Sequence, residues 1–279
     1  MTKAPSKQIR SAAADAFPRR FATNIVRGLG ALTHAPRARP PRLRPVAVVA
    51  AMLSIAATIA SMFVLDAIAS EWARNLPRWF VDPFQVITKF GLSGWFLYPL
   101  GFILLGLAAA GSSALPRLTQ GVLAALAVRC GFLFLAIGAP GLFVTIVKRL
   151  IGRARPFVGG HDDPFLYAPP IWSPAYAAMP SGHATTAAAA AIAIGAIWPR
   201  SRWVMWLYAL IIMLSRVVVL AHHPSDVIAG ALVGVVGALM VRRYFAARRL
   251  GFCPGDLQPY PWPSFHRLRA AARRVASRP

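Results

Sequence analysis

Six stretches of this chain carry almost no charge: Val46–Ala69, Trp95–Ala110, Gly121–Val147, Ala184–Trp198, Trp203–Ala221 and Val227–Phe245. A helix needs about 20 apolar residues to cross a bilayer. Lipid offers no partner to an open backbone, so a chain with such runs is committed to helices. We therefore expect an all-α integral membrane protein with six transmembrane helices. Ala184–Trp198 is alanine-rich and short, and needs Met179–His183 to complete a span. Gly121–Val147 is overlong and contains Gly138, Pro140 and Gly141, which predicts a kink or tilt. Composition agrees: 57% of the 279 residues are hydrophobic and 14% charged, where soluble domains carry roughly 25% charged residues.

The charge is lopsided, with 31 Lys and Arg against 8 Asp and Glu, a net +23. The excess collects at the two ends. Residues 1–45 hold ten Lys/Arg and one acid, Asp15, and residues 242–279 hold nine Arg and one acid, Asp256. This placement points to an anionic membrane surface and away from a nucleic-acid partner. It divides the chain into a basic arm (1–45), a membrane domain (46–245) and a basic tail (246–279). Phe17, Phe21, Ile25 and Leu29 form one apolar stripe if the arm is helical. Pro18 and the nearby glycines equally allow a disordered arm. In the tail, Phe265, Leu268, Ala272 and Val275 read as one side of an interfacial helix. The first 45 residues lack the apolar core of a signal peptide, although Arg-rich, acid-poor composition is also a transit-peptide trait. Cys130 and Cys253 are expected at different depths, with no disulfide and no metal site between them.

Basic ends place both termini in the cytoplasm, as an even number of spans requires. The links at Arg117 and at 199–202 then lie inside, and 70–94, 148–183 and 222–226 lie outside. One outer segment breaks the positive-inside pattern. Residues 148–155, KRLIGRAR, carry four cations, and binding an anion would account for them. Two further clusters reach the same face: PSGH at 180–183, and SRVVVLAHHPSD at 215–226. Ser181 and Gly182 open a helix, whose free N–H groups and positive dipole end suit an anion; Ser181 also reads simply as an N-cap. Lys148, Arg155 and Arg216 would supply countercharge to a tetrahedral oxyanion, while Arg149 and Arg153 read as headgroup contacts. Pro224 stops one helix near Ala221 or His222 and opens the next, putting Asp226 in its first turn. A carboxylate there can hydrogen-bond one histidine nitrogen and orient the other for attack. Spacing alone leaves His222 and His223 both open.

These motifs resemble the signature of the type 2 phosphatidic acid phosphatase superfamily, which also includes vanadium haloperoxidases: KxxxxxxRP, PSGH and SRxxxxxHxxxD. The chain reads KRLIGRARP at 148–156, PSGH at 180–183 and SRVVVLAHHPSD at 215–226, in that order. The resemblance implies that His222 is the nucleophile, Asp226 its partner and His183 the acid/base. It also implies that Lys148, Arg155, Ser181, Gly182 and Arg216 bind phosphate, and that no metal or other cofactor is needed. His223 matches no signature position, and His161, Asp162 and Asp163 read as a solvated loop.

The function expected is hydrolysis of a lipid phosphate or diphosphate through a phosphohistidine. Candidate substrates are phosphatidylglycerophosphate, phosphatidic acid, undecaprenyl diphosphate and a lipid A phosphate. The site would face the periplasm of a bacterial inner membrane, with Trp72, Leu76, Trp79 and Phe80 guiding the lipid or serving as an aromatic belt. A lipid-to-lipid phosphotransferase would use the same residues, and a non-enzymatic scaffold would use none. A soluble haloperoxidase does not fit so apolar a chain. A neutral His222 and a protonated His183 predict a bell-shaped pH profile, and vanadate should inhibit as a transition-state mimic.

Overall fold

The computed structural model describes residues 7–112, 114–168 and 172–276, without the side chains of 7–16, 265 and 271. Helices α1 (Lys7–Thr33), α2 (Pro45–Val64), α3 (Asp66–Arg74), α4 (Arg78–Ile87), α5 (Gly94–Ala110), α6 (Arg117–Ile151), α7 (Gly182–Ile197), α8 (Arg202–Val218), α9 (Pro224–Ala247) and α10 (Phe265–Ala276) carry the fold. Two isolated antiparallel bridges, Arg153 with Tyr167 and Phe252 with Pro259, are the only β pairings among the described residues.

Five stretches of the described chain are long and apolar enough to cross a membrane: Pro45–Val64, Arg78–Ala110, Arg117–Ile151, Pro199–Val218 and Pro224–Ala247. The protein is an integral membrane protein. The expected fourth span is α7, with 16 residues; it reaches about 24 Å, short of the roughly 30 Å hydrocarbon core. The chain thus has five full-length candidates and one short apolar helix. Outward residues elsewhere are bulky and apolar, with Val46 78%, Phe63 73% and Trp203 85% exposed, as lipid-facing positions are.

The chain divides into two compact units. One comprises Pro41–Tyr98 and Phe132–Arg243. Its centre is α7, in which twelve of the sixteen residues are buried. Alanine suits that place because neighbouring backbones come close. A Cβ on Gly230 of α9 would collide with the Ser181 carbonyl, and one on Gly234 with the Thr185 carbonyl. The spacing is that of a small-xxx-small helix contact. Thr185 adds a hydrogen bond from Oγ1 to the Gly230 carbonyl, 2.9 Å. On another side, Ala187 and Ala191 pack with Ala209 and Ile212 of α8.

The segment 70–94, expected as an outer loop, is largely helical: it holds most of α3, all of α4 and a 3-10 turn over Thr88–Gly91. Pro77 and Pro83 mislead the eye here. Pro77 sits at the N-cap of α4, and Pro83 lies within its second turn. The turn is seated on α8, where Tyr208 donates to the Phe90 carbonyl at 3.0 Å. Helix α6 runs unbroken through Pro140, and Pro140 fills the space above Gly237, where a Cβ would lie 2.7 Å from its own.

The other unit is the described part of Met1–Pro40, Pro99–Gly131 and Tyr244–Pro279. Of the two readings of the basic arm, the helical one is realised over Lys7–Thr33. Asn24 donates to the carbonyls of Ala108 and Gly111. Tyr244 and Arg248 both donate to the Leu32 carbonyl. The tail helix forms as α10; the Phe265 side chain of its expected apolar stripe lies outside the described residues.

Candidate active site

All eight residues singled out from the sequence lie in the first of these units. Lys148 ends α6, half-buried. Gly152, at φ 64°, then turns the chain into an extended strip. Ala154 N–H donates to the Leu166 carbonyl, Arg155 N–H to Ala175, and Ala178 N–H to Arg153. These bonds fix the backbone of Arg155.

Ser181 is fully buried and caps α7. Its N–H donates to the Asp226 carbonyl at 2.9 Å, which ties the cap to the first turn of α9. An added Cβ at Gly182 would meet nothing within 4 Å, so the helix start opens onto free space where a ligand can approach the backbone. His183 follows, within electrostatic reach of Arg216, His222, Lys148 and Arg155. Its ring is backed by Gly91, where a Cβ would lie 2.9 Å from His183 Cδ2 and 2.6 Å from Ile212 Cγ2.

Helix α8 ends at Val218, earlier than Pro224 alone suggested. Leu220 adopts φ 54°, a left-handed conformation that costs a non-glycine about 1–3 kcal/mol. The turn brings Ala221 and His222 N–H back to the Arg216 carbonyl. Arg216 is 7% exposed, and its Nη1 donates to Thr88 Oγ1 at 2.5 Å. The buried Nε atoms of Arg216 and Arg155 have no hydrogen-bond partner. Buried donors without acceptors are costly, and the two guanidinium charges favour an anion nearby.

Asp226 divides its two carboxylate oxygens. Oδ1 accepts from Arg153 Nη1 at 2.6 Å. Oδ2 accepts the His223 N–H at 3.0 Å and faces the Nδ1 atoms of His222 and His223 at 3.7 and 3.6 Å. The expected His222–Asp226 hydrogen bond is therefore a close approach: 3.7 Å exceeds hydrogen-bond range. Burial pushes the His222 imidazole below the usual 6.5, Asp226 opposes it, and Arg216 and Arg155 add to the downward push. His222 is thus held neutral at neutral pH, the form that can attack.

Three expectations need correction. Arg153 is no headgroup contact. It is completely buried and ion-paired to Asp66 at 2.7 Å and Asp226 at 2.6 Å. Burial opposes its charge, but the two carboxylates hold its pKa above the ordinary arginine value. Asp162 is not a solvated loop residue, since its side chain is 3% exposed and lies 3.1 Å from His223 Nε2. His223 is more than a bystander: burial lowers its pKa, yet Asp226 and Asp162 together carry it above 6.5. Asp66 is the residue the sequence reading passed over. It accepts from Arg153, from Ser61 Oγ at 3.1 Å, and from the N–H and Oγ of Ser225. Its signal was there to be read, because an acid inside an apolar run demands a partner. Arg149, by contrast, donates to the Trp172 carbonyl at 2.5 Å.

Residues 129–250 match the profile of the PAP2 superfamily. The lipid A 1-phosphatase of Rhizobium johnstonii is 34% identical over 77% of this chain and 86% of its own. That of Rhizobium etli is 32% identical over 77% and 91%. The decaprenylphosphoryl-5-phosphoribose phosphatase of Mycobacterium tuberculosis is 33% identical over 57% and 80%. A crystal structure of a transmembrane PAP2-type phosphatidylglycerolphosphate phosphatase from Bacillus subtilis aligns with TM-score 0.46 and 20% identity over 70% of this chain and 93% of that one. The chain belongs to the PAP2 superfamily, and its class is that of a membrane-embedded phosphate hydrolase.

Proposed function

We propose that the protein hydrolyses a phosphomonoester on a membrane lipid through a phosphohistidine, and that the lipid is a lipid A phosphate. The observation that carries the chemistry is the meeting of three separated motifs around a helix N-terminus, with two buried arginine nitrogens left unpartnered. Lys148, Arg155, Arg216, the Ser181 hydroxyl and the N–H of Gly182 hold the phosphoryl oxygens and stabilise charge as it develops. His222 attacks phosphorus through Nε2, since Nδ1 faces Asp226. As the P–N bond forms and the P–O bond to the lipid breaks, His183 delivers a proton to the leaving oxygen. His183 then takes a proton from water, which attacks phosphorus and releases inorganic phosphate and free His222. The choice of lipid is supported by the two lipid A 1-phosphatases, similar over more than three quarters of the chain. The arm (1–45) and tail (246–279) face the cytoplasm and anionic headgroups, and the site faces the periplasm of a bacterial inner membrane.

The test is phosphate release by purified protein with chelator present, on lipid A, phosphatidic acid, phosphatidylglycerophosphate and undecaprenyl diphosphate. Release from lipid A, reduced at least about 10³-fold in His222→Ala, is the expected result. Release from another lipid alone would replace the substrate. A newly phosphorylated lipid in place of free phosphate would mean transfer to a second lipid.

A further inference from the structure

A second cavity, of about 560 Å³, lies wholly within the unit that holds the chain ends. It is formed by the start of α6 and the tail following α9. Four arginines line it, Arg117, Arg129, Arg249 and Arg267, beside Tyr260 and Trp262, and no acid is among its lining residues. Its floor is apolar and open: Val122 and Val128 line it, and a Cβ on Gly121 would meet nothing within 4 Å.

Arg129 is the telling residue. It is 6% exposed on an otherwise apolar stretch of helix. Its Nη atoms donate to the carbonyls of Ala125, Tyr260 and Pro261 at 2.7–3.0 Å, and its guanidinium lies 4.5 Å from the Trp262 ring centroid. All these partners are neutral. Its Nε is buried and has no partner. Among the described residues this buried cation is held by neutral groups alone, which leaves its charge uncompensated, and an anion in the cavity would supply the missing charge.

We propose that this cavity binds an anionic phospholipid. The headgroup phosphate sits beside the Arg129 guanidinium, with exposed Arg249 and Arg267 at the rim, and an acyl chain lies along the apolar start of α6. The apolar lining argues for a lipid over a free phosphate, because a small anion would leave Leu118, 43% exposed, and exposed Ala124 uncovered. The site shares no residue with the candidate active site.

Native mass spectrometry of the full chain, reconstituted with equal phosphatidylglycerol and phosphatidylcholine, tests this. Phosphatidylglycerol is a phosphodiester with no terminal phosphate, so its retention is independent of the proposed hydrolysis. The expected result is about tenfold preferential retention of phosphatidylglycerol, falling about fivefold for each of Arg249→Gln and Arg267→Gln. Both are surface changes, so they keep the fold; Arg129→Gln is read beside its melting temperature. Equal retention of the two lipids, or unchanged retention in Arg249→Gln/Arg267→Gln, would overturn the proposal. Displacement by free glycerol phosphate would also overturn it, by showing a site for small anions.

Discussion

At the scale of single residues, protonation state and buried charge decide what the site can do. As the proposed nucleophile, His222 must be neutral to attack, and burial holds its pKa below 6.5. The acid limb of a bell-shaped kcat/KM profile should therefore fall below pH 6.5, with activity lost as pH drops through the lowered value. An acid limb above pH 6.5 would contradict a nucleophilic His222. Arg153 answers to a different measurement. Arg153→Met leaves Asp66 and Asp226 buried without the cation they share, which should cost about 3–5 kcal/mol and depress the thermal midpoint in detergent. A midpoint equal to wild type would mean the network carries little stability. The candidate site residues from Lys148 to Asp226 could be picked out of the sequence because each motif is a short local pattern. Asp66 and Arg153 were not, because they are 87 positions apart and pair only once helices have packed.

At the scale of elements, the site depends on two close approaches to backbone. Helix α9 reaches the PSGH cap because Gly230 has no side chain, and the 3-10 turn after α4 reaches His183 because Gly91 has none. Gly91→Ala should push the His183 ring and lower kcat by about 10²-fold, with KM less affected, since misplacement of about 1 Å costs that much. Unchanged kcat would show that the ring has room to retreat. The apolar runs of α2, α6, α8 and α9 were plain in the sequence, because length and lack of charge are one-dimensional properties. The helical nature of 70–94 was hidden by Pro77, Pro83 and scattered charges. The central position of α7 was hidden too: alanine content shows that close neighbours are tolerated, and only packing shows which ones arrive.

At the scale of the whole molecule, charge distribution sets orientation. In the proposed topology, with both termini cytoplasmic, a single cysteine at His161 should react with a membrane-impermeant maleimide from the periplasmic side, and one at Arg20 only after lysis, each in a Cys130→Ser/Cys253→Ser background. Reversed labelling would invert the proposed topology. The network at Asp66 bears on how such a molecule is made. Synthesis delivers Asp66 first, then Arg153, then Asp226. Arg153 enters the membrane region when an opposite charge is already present, and Asp226 enters when Arg153 is. Arg153 and Asp226 each arrive with an opposite charge already made, and Asp66 alone must wait for its partner.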